Sequence, residues 1–327
     1  MTAEAPDKIP PRLKLVVKPT TVPDKIFFGI STAAGYSSIV IVSLILLFLI
    51  IRAWPAFASQ NIFDFMFAAG WDNAAQPPIF HIGPMLWGSL LVAGIGVLFA
   101  IPMAISIAYF IEFMAPKAIA KGATVLVDFL AAIPSIVLGL WGFTVLSPVA
   151  AEWAAMLNKS LGFLPIFANG DANFQRSPFI AGIVVSVMIV PIIASITREI
   201  FSQMDQELIK GSLALGATKE STFRRVILPT ASGGIVGGVL LGLGRALGET
   251  VAIFYVLNVI YDNFNWFNIL EPKGGSIASL ILAKFGEATS DEIPALMAAG
   301  VVLFVVTLII SSIASYIVAK AQPWRKN

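Results

Sequence analysis

Six long apolar segments, separated by polar ones, dominate the pattern of the 327-residue chain. Each is close to or above the roughly 20 residues that an α-helix needs to cross a bilayer. Their approximate bounds are 26–51, 82–111, 124–146, 179–197, 232–257 and 294–319. The pattern predicts an all-α integral membrane protein with six transmembrane helices, over residues 26–319.

The polar segments differ in basic charge, which predicts an orientation. Fifteen lysines and arginines lie in the four segments 1–25, 112–121, 198–229 and 320–327, of which we interpret the first and the last as solvated tails. The alternate segments hold five. Basic residues near membrane spans favour the cytoplasmic side. We therefore expect both tails and the loop 198–229 to be cytoplasmic.

Composition narrows the class of protein. Hydrophobic residues make up 57% of the chain and charged residues 12%, far from the roughly 25% charged residues of a soluble domain. A net charge of +2 without a basic, aromatic-rich run argues against nucleic acid as a partner. The chain has no cysteine, and its one histidine, His81, lies in a proline-rich loop without grouped ligands, so we expect no disulfide and no metal site.

The fifth apolar segment carries two charges. Arg245 and Glu249 lie near its middle, where a charged side chain facing lipid costs about 2.5 to 3.5 kcal/mol. If the segment is one continuous helix, the two side chains lie one turn apart on one face. Gly234, Gly238 and Gly242 have the four-residue spacing that lets helices approach closely. We expect this helix to be buried among others and to turn its charges toward a polar interior.

The stretch before this segment, 208–229, reads LIKGSLALGATKESTFRRVILP. It resembles the EAA loop of bacterial ABC importer permeases: Gly216 takes the glycine position, Val226 the hydrophobic position, and Leu228 and Pro229 the ending. The departure is at the front, where Lys210-Gly211-Ser212 stands in place of Glu-Ala-Ala.

The resemblance implies that this loop docks on an ATPase through Lys210, Gly211, Ser212, Leu213, Leu215, Gly216, Leu228 and Pro229. The residues themselves favour a short docking helix, since Leu208, Leu213 and Leu215 offer an apolar surface to a groove and Gly216 permits a tight turn. The alternative is an ordinary cytoplasmic loop that packs on its own bundle. The stretch 211–218 also approaches a phosphate-binding loop, but Ala217 takes the position of the required lysine. We therefore expect ATP to be bound by another chain.

The run Arg-Ala-Leu-Gly-Glu-Thr, 245–250, closely resembles the signature of permeases in the phosphate ABC importer. The stretches 82–90, 133–141 and 191–199 look like its PstC-type rather than its PstA-type subunit, so that the resemblance covers about residues 80–320. It implies the type I (MetI-like) permease fold and a place in a bacterial plasma membrane. It implies three kinds of partner: a homologous PstA-type permease, two copies of a cytoplasmic ATP-binding subunit and an extracytoplasmic phosphate-binding protein. The chain itself would be no enzyme and hold no cofactor, because ATP and magnesium bind to the ATPase.

Three charged residues are candidates for the substrate pathway: Arg245, Glu249 and Asp128. A guanidinium stays ionised when desolvated and offers paired donors to phosphate oxygens, and Glu249 beside it would hold Arg245 in place. The alternative is a buried structural pair without substrate contact. Asp128, in the third span, is either a gate residue or part of a solvated helix end.

Three other functions stay open on the sequence. The same fold could carry another oxyanion, molybdate or sulfate, which the 245–250 run argues against. A secondary transporter would be expected to show an internal repeat with broken helices, and no convincing duplication is present. A membrane enzyme acting on lipid phosphates would need clustered acidic residues or histidines, which the spans lack.

Overall fold

The computed structural model describes residues 22–170 and 173–321. The tail predicted over 1–25 lies outside this part except for its last four residues, as do 322–327. The chain divides into two units, residues 1–48 and 49–327. Helix α1, Val22–Ser59, begins in the first unit and ends in the second.

The second unit is almost entirely helical. A short segment α2 (Ile62–Phe67) precedes a two-residue antiparallel hairpin of β1 (Trp71–Asp72) and β2 (Ile79–Phe80). The remaining helices are α3 (Gly83–Tyr109), α4 (Lys117–Ala132), α5 (Ser135–Trp141), α6 (Ser147–Leu161), α7 (Pro178–Ser202), α8 (Gln206–Ala214), α9 (Lys219–Thr222), α10 (Leu228–Gly248), α11 (Val251–Val256), α12 (Ile277–Phe285) and α13 (Glu292–Ala321).

Six helical stretches in the described part of the chain are long and apolar enough to cross a membrane, which confirms the predicted number. They are Val22–Ser59, Gly83–Met114, Ser135–Leu161, Pro178–Ser202, Lys219–Gly248 and Glu292–Ile317. The second span ends in a π-helical turn, Phe110–Met114, and π-helical turns at Gly142–Leu146 and Phe223–Ile227 join the two α-helices of the third and of the fifth span.

Two predicted boundaries were wrong. The third span does not cover 124–146, because Ile133 and Pro134 adopt extended or polyproline-like backbone angles and separate α4 from α5; the spanning helix runs from Ser135 to Leu161 instead. The fifth span does not continue to residue 257, because α10 ends at Gly248 and Glu249 is extended. A hydropathy window averages over such breaks and therefore cannot locate them.

Helix α7 is the centre of the bundle. In its most apolar stretch 72% of the residues are buried, against at most 33% in the other five spans. It runs parallel to α3, and the two helices meet where Gly182 faces Ile95 and Gly96 faces Val185. The buried cluster around this contact draws side chains from α3, α4, α7, α10 and α11, including Val92, Val127, Ile189, Leu247 and Ile253.

Helix α10 packs antiparallel on α7 through the glycines that the sequence singled out. A Cβ added at Gly234 would lie 2.5 Å from Ile200 Cδ1, one at Gly238 3.2 Å from Ile196 Cγ2, and one at Gly242 3.0 Å from Ile193 Cδ1. The predicted close approach is confirmed. The prediction that α10 itself is the buried helix was wrong for the chain alone, since only 28% of its most apolar stretch is buried.

Because α3, α5–α6, α7 and α10 alternate in direction, the loops sort to two ends of the bundle. One end, here the hairpin end, holds the hairpin, residues 162–170 and 173–177, and 257–291. The other, here the α8 end, holds α8 and α9, and α4 begins there. At the hairpin end Glu292, 6% exposed, accepts hydrogen bonds from Trp71 Nε1 (3.0 Å) and from the backbone N–H of Thr289 (3.1 Å). This carboxylate joins the hairpin to the first turn of α13.

The packing of α3 on α7 predicts a stability difference between two glycines. A Cβ at Gly182 would lie 2.6 Å from Ile95 Cβ, whereas one at Gly94 of α3 would meet nothing within 4 Å. We expect Gly182→Ala to destabilise the purified chain by about 1 to 3 kcal/mol because α3 must move away from α7. Gly94→Ala is the matched control and should be neutral or slightly stabilising. Thermal unfolding in detergent measures both, and equal midpoints would contradict this packing.

The surroundings of Tyr261 at the hairpin end predict a shift in the pKa of its phenol. Burial, and secondarily the nearby Glu292 carboxylate, raises the pKa of the Tyr261 phenol above its ordinary 10.0. The folded state therefore keeps this phenol protonated beyond the pH at which the unfolded chain loses the proton, and the associated stability is lost as pH rises through the folded pKa. We expect Glu292→Gln to lower the Tyr261 pKa without returning it to 10.0, because burial remains.

Phenolate absorbance as a function of pH, taken as the difference from Tyr261→Phe, measures this titration. Glu287→Gln removes an exposed carboxylate from the neighbouring loop and serves as the control. An unchanged Tyr261 pKa in Glu292→Gln, or an equal fall in the control, would refute the proposed influence of Glu292.

Candidate functional site

Arg245 lies in the last turn of α10, at the border of the glycine face that packs on α7. Its side chain is exposed, and so are Thr230, Gly237, Leu241 and Gly248, which follow one another at helical spacing along the same side. A Cβ at Gly237 or Gly248 would meet nothing within 4 Å. The helix thus has a glycine face closed against α7 and an open stripe, here called the Arg245 stripe, formed by these five residues.

Arg245 and Glu249 do not form the pair that a continuous helix predicts. Glu249 follows the end of α10 with backbone angles of φ −69° and ψ 123°, so its side chain leaves the helical face. Within residues 22–170 and 173–321, the ion pairs closer than 4.0 Å are Glu220–Arg224 and Glu271–Lys273. The guanidinium of Arg245 is therefore available to a ligand or to another chain.

Glu249 instead caps the helix that follows. Its carboxylate is 7% exposed, and Oε1 accepts a hydrogen bond from the backbone N–H of Ala252 at 3.2 Å. The negative charge lies at the N-terminus of α11, where unpaired N–H groups favour it. Thr250 supports the break, since its Oγ1 donates to the carbonyl of Gly248 at 3.1 Å.

Helix α11 is clamped to the third span by a glycine that the sequence analysis did not single out. A Cβ at Gly139 of α5 would lie 2.7 Å from the Cα of Ala252. Gly142, one turn later, faces Val184 of α7 and Val256 of α11. The spacing of the two glycines was visible in the sequence, but the pairing with α11 depends on the break at Glu249.

Asp128 lies in α4, outside the membrane-length helices, and its side chain is exposed. Its neighbour Val127 belongs to the central buried cluster that also holds Leu247. Within the described residues, Asp128 forms no ion pair closer than 4.0 Å with Arg245. Its role in the pathway stays a prediction.

The predicted docking segment folds as a short helix followed by a tight turn. Asp205 caps α8 by accepting from the backbone N–H of Glu207 at 2.8 Å. At the other end Gly216 has φ +84°, and the N–H groups of Gly216 and Ala217 bond to the carbonyls of Leu213 (3.0 Å) and Ser212 (3.2 Å). This is the Schellman pattern of a helix C-terminus, in which a residue with positive φ is required. The turn predicted at Gly216 is confirmed.

One face of α8 is fixed to the bundle. Ile209 is 9% exposed and belongs to the cluster of Phe201, Met204 and Ile227. Ser212 Oγ lies 3.0 Å from Thr222 Oγ1, which joins α8 to α9. Packing on its own bundle, the alternative to docking, therefore describes one side of α8. The opposite side is open.

The remaining docking candidates divide between this open side and the start of α10. Leu215 is 90% exposed, and Leu208, Lys210, Gly211 and Leu213 are exposed as well. Leu228 packs against the Ile209 cluster, whereas Pro229 is exposed in the first turn of α10, where its missing N–H costs nothing. Leu228 and Pro229 therefore begin α10 and are not part of the α8 surface.

No three His, Cys, Asp or Glu side chains in the described ranges are grouped so that they could hold a metal ion. What the site offers chemically is a free guanidinium on an open helical stripe and a separate, partly apolar helix surface at the other end. Neither arrangement contains a nucleophile with an adjacent base.

Comparison with solved structures identifies the fold. A bacterial alginate ABC transporter, solved in complex with an alginate pentasaccharide-bound periplasmic protein, matches 91% of this chain and 99% of its own chain with a TM-score of 0.53 at 16% identity. An inward-facing structure of the MetNI methionine ABC transporter matches 73% of this chain and 94% of its own with a TM-score of 0.50 at 16% identity. The fold is that of MetI-type ABC importer permeases.

Curated relatives are similar over most of the chain. The phosphate transport system permease protein PstC 2 of Mycobacterium tuberculosis is 35% identical over 303 residues, 91% of this chain and 92% of the relative. PstC of Haemophilus influenzae is 37% identical over 287 residues, covering 86% and 89%. The probable PstC of Methanocaldococcus jannaschii is 33% identical over 289 residues, covering 87% and 89%.

Residues 96–322 match the family described as binding-protein-dependent transport system inner membrane component. The match includes α5 to α12, and with them the Arg245 stripe and the docking helix. The chain therefore belongs to this family of ABC importer permeases.

Proposed function

We propose that this chain is the PstC-type permease subunit of an ATP-driven importer of inorganic phosphate. The observation that carries the proposal is the free Arg245 guanidinium on the open stripe of α10, inside a run that resembles the phosphate permease signature. The names of relatives at 33 to 37% identity support the choice of phosphate. A planar, permanently charged guanidinium suits an oxyanion with several acceptor oxygens.

The Arg245 stripe faces the pathway. A charged Arg245 side chain that faced lipid would cost about 2.5 to 3.5 kcal/mol. Among the described residues, no carboxylate lies within 4.0 Å of its guanidinium. The stripe must therefore face water or another protein. Gly237 and Gly248 leave room beside Arg245 for a ligand of a few atoms.

A homologous PstA-type permease provides the other wall of the pathway. Around the break between α4 and α5 the chain exposes large apolar side chains on two consecutive helices: Val125, Leu126, Phe129, Ile136, Val137 and Leu140. In a bilayer such side chains face either lipid or a second helical bundle, and we assign this group to the homologous permease. With this partner in place, Asp128 would lie near the cytoplasmic mouth between the two permeases.

Two cytoplasmic ATPase subunits drive the cycle, and one of them docks on α8. The helix from Lys219 to Gly248 is continuous, so that a movement of α8 reaches Arg245 through Thr222 and a stiff rod about 45 Å long. Both tails and the α8 end are then cytoplasmic, and the extracytoplasmic phosphate-binding protein delivers its ligand at the hairpin end. This chain binds no nucleotide and acts as a conduit.

Phosphate uptake into vesicles that hold the complete transporter tests the proposal. We expect Arg245→Gln to lower ATP-dependent uptake of labelled phosphate by about tenfold or more, because the anion loses its counter-charge. Lys159→Gln, which removes a cation from the C-terminal end of α6, is the control and should leave uptake unchanged. Arg245→Lys should recover part of the rate, since it restores the charge without the planar donors.

Molybdate and sulfate as competitors test the substrate. Phosphate uptake that neither anion inhibits at equal concentration is the expected result. Native transporter that moves molybdate or sulfate and no phosphate would overturn the substrate assignment and leave the permease fold intact. Normal uptake in Arg245→Gln would mean that the guanidinium has a structural role only.

The cap that Glu249 provides for α11 predicts an effect on both uptake and stability. Glu249→Gln keeps an oxygen acceptor for the N–H of Ala252 but removes the charge, whereas Glu249→Ala removes both. We expect uptake and thermal stability to fall in the order native, Gln, Ala, with the Ala variant about 1 kcal/mol less stable. The same midpoint and uptake rate in all three proteins would exclude a capping role.

A further inference from the structure

The open side of docking helix α8 carries a cation without an acidic partner in its own chain. Lys210 is exposed, and it forms none of the ion pairs found within 4.0 Å across residues 22–170 and 173–321. The nearby pair of Glu220 and Arg224 (2.8 Å) is already closed on itself. Lys210 is therefore a free charge in the middle of the helix.

Its position on α8 follows from the helical period. Ile209 points into the bundle, and Lys210 lies about 100° round the helix from it. The outermost line of the helix is formed by Glu207, Gly211 and Ala214, which are all exposed. Gly211 and Ala214 are small enough for the wall of a groove to approach the backbone closely, so Lys210 borders the surface that such a groove covers.

Docking on a partner would take water away from Lys210. A helix that enters a groove loses solvent along its outward face and its flanks. An ammonium that is desolvated without a counter-charge costs several kcal/mol, whereas a facing carboxylate offsets that cost and fixes the register of the helix. Leu208 and Leu215, on the other flank, supply the apolar part of the contact.

We infer that the groove of the cytoplasmic ATPase subunit carries an aspartate or glutamate opposite Lys210, and that this charge pair selects the subunit. The inference rests on the proposed function for the existence of that subunit, and it specifies the chemistry of its surface. Glu207, one turn before Lys210, forms no ion pair with it among the described residues and does not replace the partner's carboxylate.

Retention of the ATPase subunit by the tagged permease complex, measured as a dissociation constant, tests the inference. We expect Lys210→Glu to weaken binding by about 30-fold or more, because two carboxylates then meet in the interface. Lys210→Gln should have a smaller effect and Lys210→Arg almost none. Rising salt should weaken the native complex more than the Lys210→Gln complex, because only the native one holds the charge pair.

One variant is the control. Lys121→Glu makes the same charge reversal on an exposed lysine of α4 and should leave binding unchanged. The inference fails if Lys210→Glu binds like the native chain or if Lys121→Glu is equally weakened.

A charge swap gives a positive test. Each Asp and Glu of the ATPase groove is changed to Lys in turn, and one of these changes should restore binding to Lys210→Glu while weakening binding to the native chain. If none does, the carboxylate does not exist. Phosphate uptake by the native complex is measured in parallel: uptake without a Lys210 effect refutes this inference alone, and a Lys210 effect without phosphate uptake refutes the substrate alone.

Discussion

The close packing of two helices on α7 is the constraint on which the rest of the structure depends. Gly182 and Gly96 let α3 approach α7 from one side, and Gly234, Gly238 and Gly242 let α10 approach from another. Without a hydrophobic driving force between helices inside a bilayer, such contacts hold the bundle through van der Waals packing. Because glycine has no Cβ, the approach is set by the backbone and leaves little freedom in how the helices cross.

This constraint decides where the charge of α10 goes. A helix that packs its glycine face on α7 leaves the adjoining side open, and the exposed Arg245 is on that side. The break after Gly248 then separates the two charges: Arg245 stays with the long helix, whereas Glu249 becomes part of the turn and caps α11. Two charges that the sequence places one turn apart are thus divided between two elements. Arg245 belongs to the long helix, and Glu249 belongs to the α11 segment that packs on Gly139.

The sequence predicts the number of spans, the glycine contacts and the turn at Gly216 because each depends on local physics. Apolar length, four-residue glycine spacing and the need for positive φ are all visible in the letters. The break at Ile133 and Pro134 was missed because a proline inside an apolar run can mean either a kink or a helix end. The end of α10 was missed since Gly248 continues a glycine-rich pattern. An apolar sequence does not show which side of a helix is exposed in the single chain. Contact with lipid, with a partner protein and with the core of the bundle all favour the same apolar residues.

Contacts between α8 and the helix from Lys219 to Gly248 link the docking surface to the charged stripe. Ile209 fixes α8 to the cluster that also holds Ile227, and Ser212 contacts Thr222 at the start of the long helix. These contacts tie α8 to the start of the helix that ends in Arg245. At that end, the extended backbone of Glu249 is the first place where the chain can bend, and the clamp of Ala252 on Gly139 keeps α11 with the third span. In the proposed transporter, these contacts would carry movement at the α8 end along the helix to Arg245, as the coupling of a distant ATPase to an anion pathway requires.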